Sequence, residues 1–126
     1  MADNLWGDFA TFPKLRTPKS ILREQADLLN RHTDGIVVAE ITDDSDILYL
    51  KCSLELVAPT LNNYRYSVVS VRHKIEVYPC ELLPFGSLSG MVNCGTEAEF
   101  IETLGRHLGS DKVRGVVSAL MAQSTS

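Results

Sequence analysis

A chain of 126 residues with 44% apolar and 22% charged residues has the balance of one folded domain, long enough to bury a core without disulfide or metal staples. Its formal net charge of -4 sets overall repulsion against polyanions, which counts against nucleic acid as a partner. Cys52, Cys80 and Cys94 are odd in number and form no C-x-x-C. Neither a disulfide framework nor a zinc site is expected. No apolar run nears the roughly 20 residues of a membrane helix, and Asp3 and Asp8 stand where a signal peptide would be basic. A cytoplasmic protein without a membrane partner is expected.

Residues Met1 to Arg16 set Leu5, Trp6, Phe9 and Phe12 among Asp, Asn, Gly, Thr and Pro with no sustained period, and read as an arm. Its aromatics either cover an apolar surface of the same domain or cross to another subunit or partner, Trp6, Phe9 and Phe12 then being the contacts. Thr17-Pro18 is a helix start, Thr as N-cap and Pro at the first position. Ile21, Leu22, Ala26, Leu28 and Leu29 make an apolar stripe, so a helix is predicted to about His32, stopped by Asp34-Gly35.

Ile36 to Ile41 is a short β-branched strand, and Asp43-Asp44-Ser45-Asp46 is its hairpin loop. The loop lacks the D-x-D-x-D-G pattern of a calcium site, so no metal is expected there. Leu48 to Val57 alternates, with Leu48, Leu50, Cys52, Leu54 and Leu56 on one face, which predicts a core strand with Cys52 buried and inert. Pro59 ends it and Asn62-Asn63 turns the chain. Tyr64 to Leu83 is β throughout: either one strand bends near His73-Lys74 or a turn there makes two, the second being preferred. Pro79 and Pro84 place the last strand at a sheet edge.

Phe85 to Gly95 reads as a loop with three glycines and no phosphate-binding pattern. Thr96 to Glu99 is a capping box opening a helix that buries Phe100, Ile101, Leu104 and Leu108. Gly109-Ser110-Asp111 breaks it, and Lys112 to Gln123 forms another helix. The expected fold is therefore α+β: a four-stranded antiparallel meander sheet with one N-terminal and two C-terminal helices packed on one face. Residues 1–16 are an arm, 17–123 one domain and 124–126 a frayed tail.

T-P-K-S-I-L-R-E-Q-A-D-L-L at Thr17 to Leu29, V-A-P-T-L-N-N-Y-R-Y at Val57 to Tyr66 and H-K-I-E-V-Y-P at His73 to Pro79 together resemble a group of small uncharacterised bacterial proteins. The resemblance covers about the middle half of the chain. It implies a bacterial or phage-related cytoplasmic protein and brings no assigned activity.

The candidate surface is Asn62, Asn63, Tyr64, Arg65, Tyr66, Arg72, His73 and Tyr78, which mixes hydrogen-bonding, aromatic and cationic groups around the central strands. Uninterrupted alternation puts Tyr64, Tyr66, Ser70 and Arg72 on one face with Val68, and Arg65, Ser67 and His73 on the other with Val69, Val71 and Ile75. Arg65 and His73 are then roughly 27 Å apart on one strand. His73, His32 and His107 read as structural: hydrogen-bonded at a strand end, and cations at two helix C-termini. Absent a catalytic motif, the expected class is a non-catalytic binding domain of inhibitor, immunity or adaptor type, without cofactor, acting on a protein partner or by self-association, possible homodimer included. The alternatives are a small metal-independent ribonuclease-like enzyme using His73 with Arg65 or Arg72, and a small-molecule-binding domain with the 85–95 loop as lid.

Overall fold

The helix that begins the domain is capped at both ends by groups its own sequence supplies. In the computed structural model, which describes residues 3–86 and 90–126, α1 spans Pro18–His32, and Thr17 Oγ1 accepts the Ser20 N–H at 3.1 Å. This relieves one of the unpaired donors of a first helical turn. At the other end the chain turns through Asp34 (φ 51°) and Gly35 (φ 78°). The side chain of Asn30 then clamps Ala39, its Oδ1 accepting the Ala39 N–H at 2.7 Å, and the Thr33 hydroxyl donates to the Val37 carbonyl at 2.8 Å. Ile36 and Val37 are thereby held in the connection. The first strand starts at Val38, two residues later than the composition of the run suggests.

Among the described residues five strands follow, not the four expected: β1 (Val38–Asp43), β2 (Leu50–Ala58), β3 (Tyr64–His73), β4 (Cys80–Pro84) and β5 (Val92–Cys94). They lie side by side in sequence order, every pair antiparallel. The preference for two strands on either side of a turn after His73 agrees with this arrangement. The added strand, β5, comes out of the glycine-containing loop; three residues carry too little alternation to announce themselves. Its presence also corrects the position of Pro79 and Pro84. They flank an interior strand, and β5 is the edge. Ser87 to Ser89 of that loop and Met1 and Ala2 of the arm lie outside the described residues.

α2 (Glu97–Leu108) and α3 (Asp111–Ser124) complete the chain. Thr96 Oγ1 accepts the Glu99 N–H, as a capping box requires, but Glu99 Oε2 takes the N–H of Gly95, one residue before the cap. Ser110 caps α3 through the Val113 N–H. All three helices bury residues in one core with one sheet face: Ile21, Leu22 and Ala26 from α1, Phe100 and Leu104 from α2, Val113 and Leu120 from α3, against Cys52, Leu54, Leu56, Val69, Val71 and Leu82. Burying a side chain such as Leu22 or Phe100 completely stabilises by roughly 1.5–3 kcal/mol. The helices are held to one side because only that face is apolar.

The register between β2 and β3 is irregular at one place, and this decides which side chains share a face. Leu54 pairs with Val69, yet Glu55 pairs with Ser67, so Val68 is an extra residue in β3. A bulge of this kind breaks the two-residue alternation and turns one half of the strand relative to the other. The freed carbonyl of Val68 accepts two bonds, from the Phe85 N–H at 3.0 Å and from His107 Nε2 at 2.7 Å. His107 stands in the last turn of α2, as expected, and from there its ring is tied to the bulge.

Candidate functional site

The bulge overturns the expected sorting of the candidate side chains. Register places Tyr66 opposite the core residue Leu56, and Val69 opposite Leu54, so Tyr64, Tyr66, Val69, Val71 and His73 share the helix-covered side. Arg65, Ser67, Ser70 and Arg72, opposite Val57, Glu55, Ser53 and Lys51, share the side the helices leave open. The two arginines are on one face, and the two tyrosines on the other with His73.

The open face is a polar surface that carries two ion pairs. Arg65 Nη1 lies 3.0 Å from Glu40 Oε2, and Arg72 reaches Glu81 Oε2 through Nε at 2.9 Å and Nη2 at 2.7 Å. The hydrogen bond to Glu81 raises the Arg72 pKa. Its guanidinium also sits 4.7 Å from the centre of the Tyr49 ring, a cation–π contact. Between the pairs, the Ser53 and Ser70 hydroxyls meet at 3.0 Å.

Three of the eight expected residues come together at one end of the sheet. Arg72, His73 and Tyr78, with Tyr49, Glu76 and Glu81, line a hollow of about 340 Å³. His73 is buried there and its Nδ1 donates to the Lys74 carbonyl at 2.7 Å, which agrees with a histidine hydrogen-bonded at a strand end. Tyr78 donates to the Arg16 carbonyl at 2.7 Å, and burial pushes its phenol up to about 12. One wall is the β3–β4 turn, where the Tyr78 N–H reaches back to the Glu76 carbonyl across Val77, held at φ 76°. Positive φ at a β-branched residue is strained backbone, and such strain gathers at functional positions.

The other expected residues are elsewhere. Asn62 (φ 59°) and Asn63 (φ 56°) take the left-handed turn conformation between a 3₁₀ turn at Pro59–Leu61 and β3, which accounts for both. Tyr64 and Tyr66 stand beside α3 with Leu61, Val116 and Gln123, around a hollow of about 430 Å³. Arg65 is on the open face at the opposite end of β3 from His73, so the ribonuclease-like pairing of those two is not assembled. Arg72 and His73 do line one hollow, but as neighbours on β3 they project to opposite sides of it.

Two apolar surfaces stand exposed. Leu48 and Ile75 were expected on strand faces, but β2 starts only at Leu50, itself exposed at the strand end, and β3 ends at His73. Ile47 is 101% exposed and Ile75 80%, and both line one surface hollow with Leu48 and Leu50. The acidic turn holding this tip is organised by its carboxylates. Asp43 pairs with Lys19, Asp44 with Lys51 at 3.6 Å, and Asp46 Oδ1 accepts the N–H groups of Leu48 and Tyr49 at 2.8 Å each. Those two backbone donors hold the Asp46 carboxyl below its usual range. The second surface is the arm, whose Leu5, Trp6, Phe9, Phe12 and Leu15 all face solvent. Among the described residues its root is fastened to the domain by Arg16, whose N–H donates to Glu97 Oε1 at 3.1 Å, whose carbonyl accepts from Tyr78 and whose guanidinium pairs with Glu24.

The cysteines are buried on the helix side, Cys80 directly opposite Cys94 across β4 and β5. Burial drives the thiol of Cys52 up to about 11 and that of Cys80 up to about 12, and raises that of Cys94. Among the described residues no cluster of three His, Cys, Asp or Glu side chains is placed to hold a metal ion, and no helix is long and apolar enough to cross a membrane. Comparison with family models, with curated proteins and with solved structures gave no match.

Proposed function

We propose that the protein is a non-catalytic interaction domain of the inhibitor, immunity or adaptor type, which works by presenting the loop end of its sheet to a protein partner. The observation that carries this reading is the pair of apolar turn tips, Ile47 with Leu48 and Ile75, standing in water at neighbouring hairpin ends. Turns are ordinarily polar, and clustered aliphatic side chains on them mark contact surfaces. Their setting favours a protein over a lipid surface: the hollow they share carries Asp46 and Glu76 against Lys74, and anionic headgroups attract the opposite sign. The 340 Å³ hollow around Arg72 and Tyr78 adjoins Ile75 and offers matched polar groups at the rim of the apolar tip, the arrangement of an interface core and its rim.

The test is affinity capture from the native cell with the full chain and with Ile47→Ser/Ile75→Ser, whose sites are too exposed to disturb folding. A partner held by the unchanged chain and lost by the double variant is expected. Equal recovery of every bound protein by both chains would remove this surface from consideration.

A further inference from the structure

We infer that the N-terminal arm is an exchange segment, docking its aromatic side chains into the cleft between α1 and α2–α3 of a second copy of this chain. The inference rests on the interaction-domain reading and names one partner and one seat for it.

The donor side is an arm with no seat in its own domain. Trp6 is 74% exposed, Phe9 60% and Phe12 43%. The arm nevertheless has local shape. Asn4 bridges to Gly7, Asp8 caps a 3₁₀ turn at Phe9–Thr11 through the Ala10 N–H, and the Phe9 and Phe12 rings meet at 5.2 Å. Its outward departure is set by the two bonds of Arg16 to Glu97 and Tyr78. A pre-shaped apolar segment leaving a fixed root loses less entropy on docking than a random tail does.

The acceptor side is a cleft of about 310 Å³ with Leu54, Leu56 and Val68 in its floor and Leu28, Leu108 and Val117 in its walls. An apolar cavity near 150 Å³ holds one benzene, so this volume suits about two aromatic rings. The cleft continues onto α2. Glu97, Ile101, Gly105 and Leu108 follow at three- and four-residue steps and therefore share a helix face. Ile101 is exposed, and a side chain at Gly105 would meet nothing, so the strip between them is open to a ring. It extends about 16 Å along the helix, within reach of ten extended residues.

The areas match a closed pair. At 150–250 Å² for each buried aromatic side chain, the exposed parts of the three rings amount to roughly 400 Å². Two arms bury about 800 Å², and with the acceptor surface that they cover the pair reaches the roughly 1,000 Å² that a specific interface needs. Reciprocal exchange also closes the assembly at two subunits.

Trp6 is the only tryptophan of the chain, so its emission reports the arm alone. With the full-length protein, sedimentation velocity should show a dimer, and Trp6 emission should shift to the blue as concentration rises through the dimer Kd. Phe9→Ser/Phe12→Ser on the arm, and Leu28→Glu or Ile101→Glu on the exposed walls of the acceptor, should each weaken the dimer at least tenfold with circular dichroism unchanged. An equimolar mixture of the arm variant with a wall variant should restore a dimer, since it contains one intact arm and one intact cleft. A monomer with water-exposed Trp6 at every concentration overturns the proposal. So does a monomer with buried Trp6, whose arm folds back on its own cleft, and so does a dimer that survives both kinds of variant. A monomer that still captures a partner through Ile47 and Ile75 overturns the exchange while leaving the interaction-domain reading in place.

Discussion

His107 Nε2 lies 2.7 Å from the carbonyl oxygen of Val68, the residue that β3 carries in excess of β2. The contact joins the last turn of α2 to the irregularity in register between β2 and β3. It also pins the bulge that decides which way Arg65 and Tyr66 face. Replacing His107 by Ala leaves the Val68 carbonyl with the Phe85 N–H as its remaining donor. The expected loss is about 1 kcal/mol for one hydrogen bond, read as a lower urea midpoint with the slope unchanged.

Val77 should respond in the opposite direction. Its φ of 76° suits glycine and disfavours a β-branched side chain. Strain of this kind costs roughly 1–3 kcal/mol, against the smaller entropy that glycine adds to the unfolded chain. Val77→Gly is expected to raise the thermal midpoint, and Val77→Ile to leave it unchanged. A lowered midpoint for the glycine variant would show that packing of the Val77 side chain outweighs the backbone term.

The buried thiols predict a stability that falls on the alkaline side. Cys52, Cys80 and Cys94 are all raised from a usual value of 9.0, Cys80 to about 12. Above pH 9 the unfolded chain releases these protons before the folded chain does. The native state then binds more protons than the unfolded state, and unfolding free energy decreases as pH rises. The contribution is whole below about pH 9 and is lost progressively toward pH 12. Cys80→Ala should flatten the decline in melting temperature between pH 9 and 11. In the folded protein at pH 8, all three thiols should react with a disulfide reagent only as fast as the chain opens.

The Arg72–Glu81 pair is half exposed and should contribute little to stability in spite of its two short contacts. A double-mutant cycle over Arg72→Ala and Glu81→Ala should give a coupling of about 0.5–1 kcal/mol that shrinks with added salt. Tyr49→Leu should lower the cost of Arg72→Ala as well, because the cation–π contact goes with it.

Much of the architecture was legible from short stretches. Thr17-Pro18 and Thr96 cap their helices through bonds spanning three residues, as their sequence implies, whereas Ser110, which the sequence marks only as part of a break, caps α3. The alternation of Cys52, Leu54 and Leu56 marked the core face of β2. The strand limits were less legible. Leu48 continues the same alternation, yet Asp46 takes the Leu48 and Tyr49 N–H groups into its turn, and the strand begins only at Leu50. The bulge had left a trace as well. Arg65 and Ser67 are polar at odd positions, Ser70 and Arg72 at even ones, and the phase changes at the adjacent valines 68 and 69.

The order of the three helices and of β1 to β4, the caps at Thr17 and Thr96 and the apolar facing of Cys52 were determined by the sequence itself, because each depends on neighbours a few residues away. Which face carries Arg65, whether Ile47 and Ile75 reach the core, and where β5 pairs were decided only in the tertiary structure. These outcomes depend on the register between strands and on bonds such as His107 to Val68, which join residues 39 positions apart. A one-residue change of register reverses the facing of every side chain beyond it.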